Sequence, residues 1–210
     1  MIGGVLQSQC PSAPLVRFRQ RPECAVWRLS ALARPLLRVH FAALSADDLY
    51  LRFGDHRSPE LLERYIAGID FWQSTVLGVF NERLELVGLA HLSPQVDGYE
   101  LGLSVLAGSR ALGIGALLLR RALQCARLSG ARRVHMHCAA ENRGIIRLGR
   151  RVGVQFEVCG GDADGVIELA PLTPLHVCSD LLEAHGAILL LGLRTWSQLV
   201  RSALVKANAA

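Results

Sequence analysis

The residues whose types and spacing could do chemistry stand together at Arg110-Ala111-Leu112-Gly113-Ile114-Gly115-Ala116. Before them, Tyr99–Leu106 has the apolar character of a strand. After them, Leu112, Ala116, Leu119, Leu123 and Ala126 recur at helical spacing as far as Gly130. The loop therefore feeds a helix N-terminus, whose unsatisfied N–H groups and partial positive charge suit a phosphate. Gly113 and Gly115 carry no side chain, so a pyrophosphate can approach the backbone. Arg110 adds a formal charge at the rim. A Walker loop would need a terminal Gly-Lys-Ser/Thr, which is missing. A dinucleotide fingerprint would need a third glycine where Leu118 stands. A glycine-rich turn before a core helix, with no ligand at all, remains the alternative reading.

Other reactive side chains give weaker signals. His135 and His137 alternate with Val134 and Met136 and so share one sheet face. They lack a third ligand, so no metal site is expected; packing under a helix or bordering a substrate suits them better. His91 is a comparable lone histidine. Tyr99 and Trp72 are expected in core packing, with lining of a substrate pocket as the alternative. The six cysteines contain no C-x-x-C pair. Cys125 and Cys138 fall in apolar periodic segments, as buried free thiols do. A reducing cytoplasm is expected.

The elements that must position these residues can be read from periodicity. Hydrophobic residues make up 51% of the 210 and charged residues 20%, enough for one core. Residues 1–23 lack periodicity and are expected to form a flexible basic arm, followed by a first strand at Ala25–Leu29. Pro35 starts a helix with Leu36, Leu37, His40, Phe41 and Leu44 on one face. Ser45 and Ser58 are N-cap candidates, each followed by acids, and the second helix would present Leu61, Leu62, Tyr65 and Ile69. Thr75–Phe80, Leu86–Leu92 and Tyr99–Leu106 are consecutive strands, with turns at 81–83 and Pro94–Gly98. Such short connections argue antiparallel pairing. Val134–Cys138 is a strand reached by a helical crossover, hence parallel to its predecessor. Helix Ile145–Val152 and the strand pair Val154–Val158 and Val166–Ala170 complete a domain over 24–170. Residues 171–210 form an extension with helices at Leu175–Ala184 and Ile188–Lys206, expected to pack on the domain or on a second copy as a homodimer. The expected class is therefore a mixed, mostly antiparallel α/β sheet with helices on both faces.

The net charge of +5 is carried almost wholly by arginine; Lys206 is the only lysine. It suits an anionic ligand. No basic run interleaved with aromatics, zinc-finger spacing or helix-turn-helix pattern occurs, so nucleic acid is not an expected partner. The apolar run Ala187–Leu193 is far shorter than the ~20 residues of a membrane span, and no secretory leader is legible. A soluble cytoplasmic protein without integral membrane contact is expected.

Arg110-Ala-Leu-Gly113-Ile-Gly115 resembles the R-x-x-G-x-G/A signature of the GNAT acetyltransferase superfamily. Glu100-Leu-Gly-Leu-Ser-Val105 resembles the strand before that signature, and Gly130 the close of its helix. Cys138-Ala-Ala-Glu-Asn142 is similar to the end of the following strand, with Leu148 and Gly153 matching the helix and turn after it. Leu44-Ser45-Ala-Asp-Asp-Leu-Tyr50-Leu-Arg52-Phe53 is similar to a stretch of some bacterial members. The similarity covers about residues 25–170.

The resemblance implies an acyl-CoA N-acyltransferase fold whose fourth and fifth strands splay apart around acetyl-CoA. The backbone of Leu103, Ser104 and Val105 would bind the pantetheine arm. The amides of Ala111, Leu112, Gly113, Ile114, Gly115 and Ala116 would cradle the pyrophosphate beside Arg110, and Asn142 would contact the cofactor. The acetyl group would pass directly to an amine on a small molecule or protein, with Glu100 on the fourth strand as the base. Many members carry a tyrosine seven residues after the asparagine, where it can protonate the leaving thiolate. This chain has Gly149 there, and Val154 in place of the usual aromatic. Arg147 or Arg150 would have to compensate electrostatically, or the acid comes from elsewhere, or activity is weak or lost. The alternative function is a catalytically weak or inactive acyl-CoA-binding regulatory module.

Overall fold

The computed structural model describes residues 25–55 and 58–170. The expected arm and the C-terminal extension, with any dimer contact through it, lie outside the described residues. The chain runs β1 (Val26–Leu29), α1 (Arg34–Ala42), α2 (Ala46–Phe53), α3 (Pro59–Gly68), β2 (Thr75–Phe80), β3 (Leu86–Gln95) and β4 (Gly98–Val105). It continues with α4 (Ile114–Leu128), β5 (Arg133–Ala139), α5 (Arg143–Arg151), β6 (Gln155–Cys159) and β7 (Asp162–Glu168). The seven strands form one sheet in the order β1-β2-β3-β4-β5-β7-β6. Every neighbouring pair is antiparallel except β4 and β5. The crossover through α4 imposes that exception, because a strand that returns after a helix enters the sheet in the same direction.

Strand alternation divides the side chains between two apolar layers. On one face Leu37, Phe41, Ile66 and Ile69 from the helical region pack on Val76 and Leu89. On the other, Leu118, Leu119, Ala122 and Leu123 of α4 pack on Leu77, Ala90, Leu101 and Val134. The expected mixed sheet, covered on both faces, is thus the observed one. Gly88 lets α4 sit close: a Cβ there would lie 2.6 Å from Ile114 and 3.0 Å from Leu118. The first turn of α4 is thereby held over the sheet beside the end of β4.

Some expectations change. The turn placed at Pro94–Gly98 shrinks to Val96-Asp97, because β3 runs on to Gln95 and pairs it with Gly98. Proline is tolerated near a strand end, and Pro94 still aligns with Tyr99. Leu112 precedes α4 and is half exposed, so it is not on the buried stripe; Leu118 and Ala122 are. Leu36 and Leu61 stand at the solvent edges of their helices. Trp72 is 96% exposed in the turn before β2 and is no core residue, whereas Tyr99 packs against the main core.

One polar link crosses a dry layer. His40 of α1 is 1% exposed, with Nδ1 2.8 Å from the Leu86 carbonyl and Nε2 2.8 Å from Ser104 Oγ. A carbonyl can only accept, so Nδ1 carries the proton and Nε2 accepts from the Ser104 hydroxyl. The ring is neutral: burial lowers its pKa, against the opposing effect of the Leu86 hydrogen bond. This link fixes the end of β4 to the helical layer.

Candidate active site

Pairing between β4 and β5 is limited to Tyr99↔Val134 and Glu100↔His135. Beyond Glu100 the two strands diverge, although β4 stays paired with β3 as far as Val105. The divergence leaves a gap walled by Leu101 and Leu103 on one side and by Met136 and Cys138 on the other. Arg52 from α2 closes one face of the gap, and Asn142 and Ile145 border it at the start of α5. The β5-facing backbone of Leu101–Val105 is thus an unpaired strand edge inside a sheet, a surface that an extended, amide-bearing chain can join.

The N-terminus of α4 stands beside the end of β4, where Gly115 approaches Leu103 and Val105. Gly113 is the N-cap, in the left-handed region at φ +86°, and no side chain caps the helix or places an acid in its first turn. Among the described residues α1 is also without a side-chain cap, though Pro35 stands in its first turn, while the starts of α2, α3 and α5 are closed by side chains. Ser45 caps α2 in a capping box with Asp48, and Ser58 caps α3 with Glu60 behind it. The first N–H groups of α4 are therefore left for an external acceptor. A Cβ on Gly113 would meet only open space, and one on Gly115 would point at Leu148, Leu103 and Val105, 3.4–3.9 Å away. The loop thus carries a bare cradle at its tip and a bare wall toward the gap. Ala111 also takes a positive φ of 60°, a conformation that costs an L-residue about 1 kcal/mol.

Arg110 is not a loose charge at the rim. It forms a 2.5 Å ion pair with Asp48, and its Nε donates to the Val105 carbonyl at 3.1 Å. It therefore clamps the loop between α2 and the end of β4, with half of its side chain still exposed. The Val105 carbonyl is already used, and Leu106 donates to Val87, so Ser104 two residues before it also turns its backbone groups toward β3; contrary to the expectation for Ser104, the free backbone groups of the edge are those of Leu101 and Leu103. Asp48 keeps its charge although burial opposes it, because hydrogen bonds from Arg110 and Ser45 together hold its carboxyl below the usual range.

Asn142 has a structural role as well. Its Oδ1 caps α5 by accepting from Ile145 N at 3.2 Å, and its Nδ2 donates to the Leu51 carbonyl at 2.9 Å. It ties α5 to α2 across the gap. Glu100 lies half-buried at the closed end of the divergence, on the face opposite Leu101 and hence the face of Arg52 and Ser104. Its carboxylate accepts from Gln95 Nε2 at 3.0 Å. Position 149 is occupied from outside: a Cβ there would be 2.7 Å from the Phe156 ring and 3.3 Å from Val154. The aromatic ring wedged between Gly149 and Gly165 leaves no room for a larger residue.

Two residues of this site carried no role in the sequence reading. Arg52 lines the gap, its guanidinium 4.7 Å over the Phe53 ring and against the bare Gly102 backbone, where a Cβ would overlap it. The Arg52-Phe53 dipeptide was visible as part of a motif, but a pattern does not show which way an arginine turns. His91 is 9% exposed; one ring nitrogen meets the Tyr65 hydroxyl at 2.7 Å and the other has no hydrogen-bond partner. Burial, aided by the Arg52 charge, lowers its pKa to about 4. His135 and His137 share one face as expected, and each meets a carboxylate, Asp97 at 3.0 Å and Asp164 at 2.7 Å.

Residues 42–154 match the model of the Acetyltransferase (GNAT) family. The chain belongs to that family. Acyl-CoA-dependent acyl transfer is accordingly its general activity. Among solved structures, the GNAT domain of S. lividans PAT is similar at a TM-score of 0.59 and 18% identity, covering 69% of this chain and 89% of that one. Ribosomal-protein-alanine N-acetyltransferase from Brucella melitensis is similar at 0.55 and 19%, covering 69% and 99%. Spermidine N-acetyltransferase from Vibrio cholerae, in complex with CoA and spermine, gives 0.54 and 17%, covering 69% and 95%. At these identities the likeness establishes the GNAT fold alone. Among the described residues no helix is long and apolar enough to cross a membrane.

Proposed function

We propose that the protein transfers an acetyl group from acetyl-CoA to an amine. The uncapped N-terminus of α4, beside the end of β4 where that strand has parted from β5, carries this reading. The N–H groups of Ile114, Gly115 and Ala116 would hold the pyrophosphate. The open edge at Leu101 and Leu103 would bind the pantetheine amides, with Asn142 at the far wall. Glu100 would take the amine proton from the opposite face, so donor and acceptor would approach the gap from its two sides. Transferases with CoA or protein and polyamine substrates among the structural neighbours support the amine acceptor. The thiols of Cys138 and Cys159 support a cytoplasmic setting.

Isothermal titration of acetyl-CoA into the wild type and into Gly113→Glu/Gly115→Glu tests the donor site. Saturable binding to the wild type and none to the variant is expected, because the new carboxylates would take the N–H groups and repel the phosphates. Equal binding by both would remove the loop from the reading.

The packing of Phe156 against Gly149 favours a second reading, a CoA-binding module with little turnover. The two part on CoA release over a panel of polyamines, amino acids and peptides. Acceptor-dependent release abolished by Glu100→Gln supports the enzyme; cofactor binding with no release across the panel supports the module.

A further inference from the structure

Expulsion of CoA from a thioester requires that a thiolate be stabilised. The amine attacks the carbonyl carbon, the C–N bond forms, the C–S bond breaks, and its electron pair goes to sulfur. Proton donation at position 149 is closed, since Gly149 has no side chain and Phe156 fills the space beside it. Arg147 and Arg150 are on the same helix, but neither lines the gap. Arg52 does, and among the described residues it has no carboxylate within ion-pair distance and no hydrogen bond. A partly exposed guanidinium without a carboxylate partner, in a gap walled by Leu101, Leu103 and Met136, is placed to pair with an anion that enters it.

We propose that Arg52 stabilises the departing CoA thiolate: its guanidinium, seated over the bare backbone of Gly102, supplies the positive charge at which the C–S bond breaks. The inference rests on the acyl-CoA reading above. Gly102 is part of the device, because any side chain there would displace the guanidinium. The arginine stays charged throughout, so it acts as an ion-pair partner and not as a proton donor. The amine proton leaves by Glu100 or water, and the thiolate takes a proton from solvent once CoA departs. The reach of the Arg52 field to sulfur is already visible at Cys138. Burial pushes that thiol up to about 11, and Arg52 is the group that opposes the rise, while Asp162 and Asp164 add to it.

The test uses free CoA and needs no acceptor. A cation beside the bound thiol lowers its pKa, so binding releases a proton and CoA affinity must rise with pH up to the ordinary thiol value near ~8.5. S-methyl-CoA, which cannot ionise, lacks this rise. Arg52, His91, Glu100, His137 and Cys138 face both ligands alike, as do Asp162 and Asp164 from β7, so their own titrations cancel in the ratio. The wild-type affinity ratio of CoA to S-methyl-CoA is expected to climb about tenfold for each unit of pKa depression. Arg52→Gln and Gly102→Ala should flatten the climb, and Arg52→Lys should keep part of it. A flat wild-type ratio, or the same climb in Arg52→Gln, overturns the proposal while leaving the donor site intact. Should Arg52→Gln fail to fold, the wild-type ratio and Gly102→Ala still decide. Failure of the wild type to bind either ligand overturns the acyl-CoA reading, and this inference falls with it.

Discussion

Gly149 shows how one residue redirects the chemistry around it. The Phe156 ring lies 2.7 Å from the place of a Cβ at 149 and 2.5 Å from that of a Cβ at 165, so ring and glycines form one packed unit. Restoring the family tyrosine by Gly149→Tyr therefore cannot restore a proton donor by itself. Overpacking of this kind costs about 1–3 kcal/mol. Gly149→Tyr should lower the melting temperature measured by circular dichroism, and Gly149→Tyr/Phe156→Ala should recover part of the loss by vacating the ring's volume. If Gly149→Tyr melts with the wild type, Phe156 is not fixed in place and the site can accept an aromatic acid after all.

At the scale of elements, the site depends on how α2 and the loop before α4 hold each other. Asp48 does two things: it completes the Ser45 capping box and it anchors Arg110. Asp48→Ala should remove the return bond of the capping box, leave the Ser45 cap in place, and weaken acetyl-CoA binding by freeing the loop. Ser45→Ala removes the cap but keeps the ion pair, so it should cost about 1 kcal/mol of stability with little change in affinity. Equal affinity losses in both variants would show that the helix, and not the clamp, positions the loop. This coupling also marks where the sequence was readable. Both serine caps, the strand at 75–80, the crossover and the glycine-loop-helix junction follow from local chemistry, and the structure places them where periodicity and capping put them. The partner of Arg110, the two hydrogen bonds of Asn142 and the seat of Arg52 over Gly102 join residues distant in sequence. No local pattern specifies such pairings. The parting of β4 and β5 was legible only through family resemblance, because hydrophobic alternation is the same in a paired strand and an unpaired one.

Across the whole molecule, buried neutral histidines set a limit on acid stability. His91 is driven to about 4 first by burial and then by the Arg52 charge, and His40 is lowered by burial. A folded-state pKa below the ordinary value of 6.5 means that the unfolded chain binds more protons between the two values. The contribution of His91 is complete above pH 6.5 and is lost as pH falls toward about 4, and that of His40 is lost in the same direction. Asp48 and Glu63, held below the usual carboxylate range by Arg110 and Arg38 respectively, give way only at lower pH, so the two windows separate. His91 alone should account for about 3 kcal/mol between these limits. Urea denaturation at pH 7.5 and 4.5 should show that difference shrinking by roughly 2–3 kcal/mol in His91→Gln, since the other titrating groups are common to both proteins and cancel. An unchanged pH slope in His91→Gln would mean that the ring opens to solvent before it is protonated. Protonating His91 also sets a second cation near Arg52, which is the one charge left free to face an anion in the gap among the described residues. Acid should therefore loosen the helical layer at the same place where the proposed reaction needs it fixed, and activity should fall before the chain unfolds.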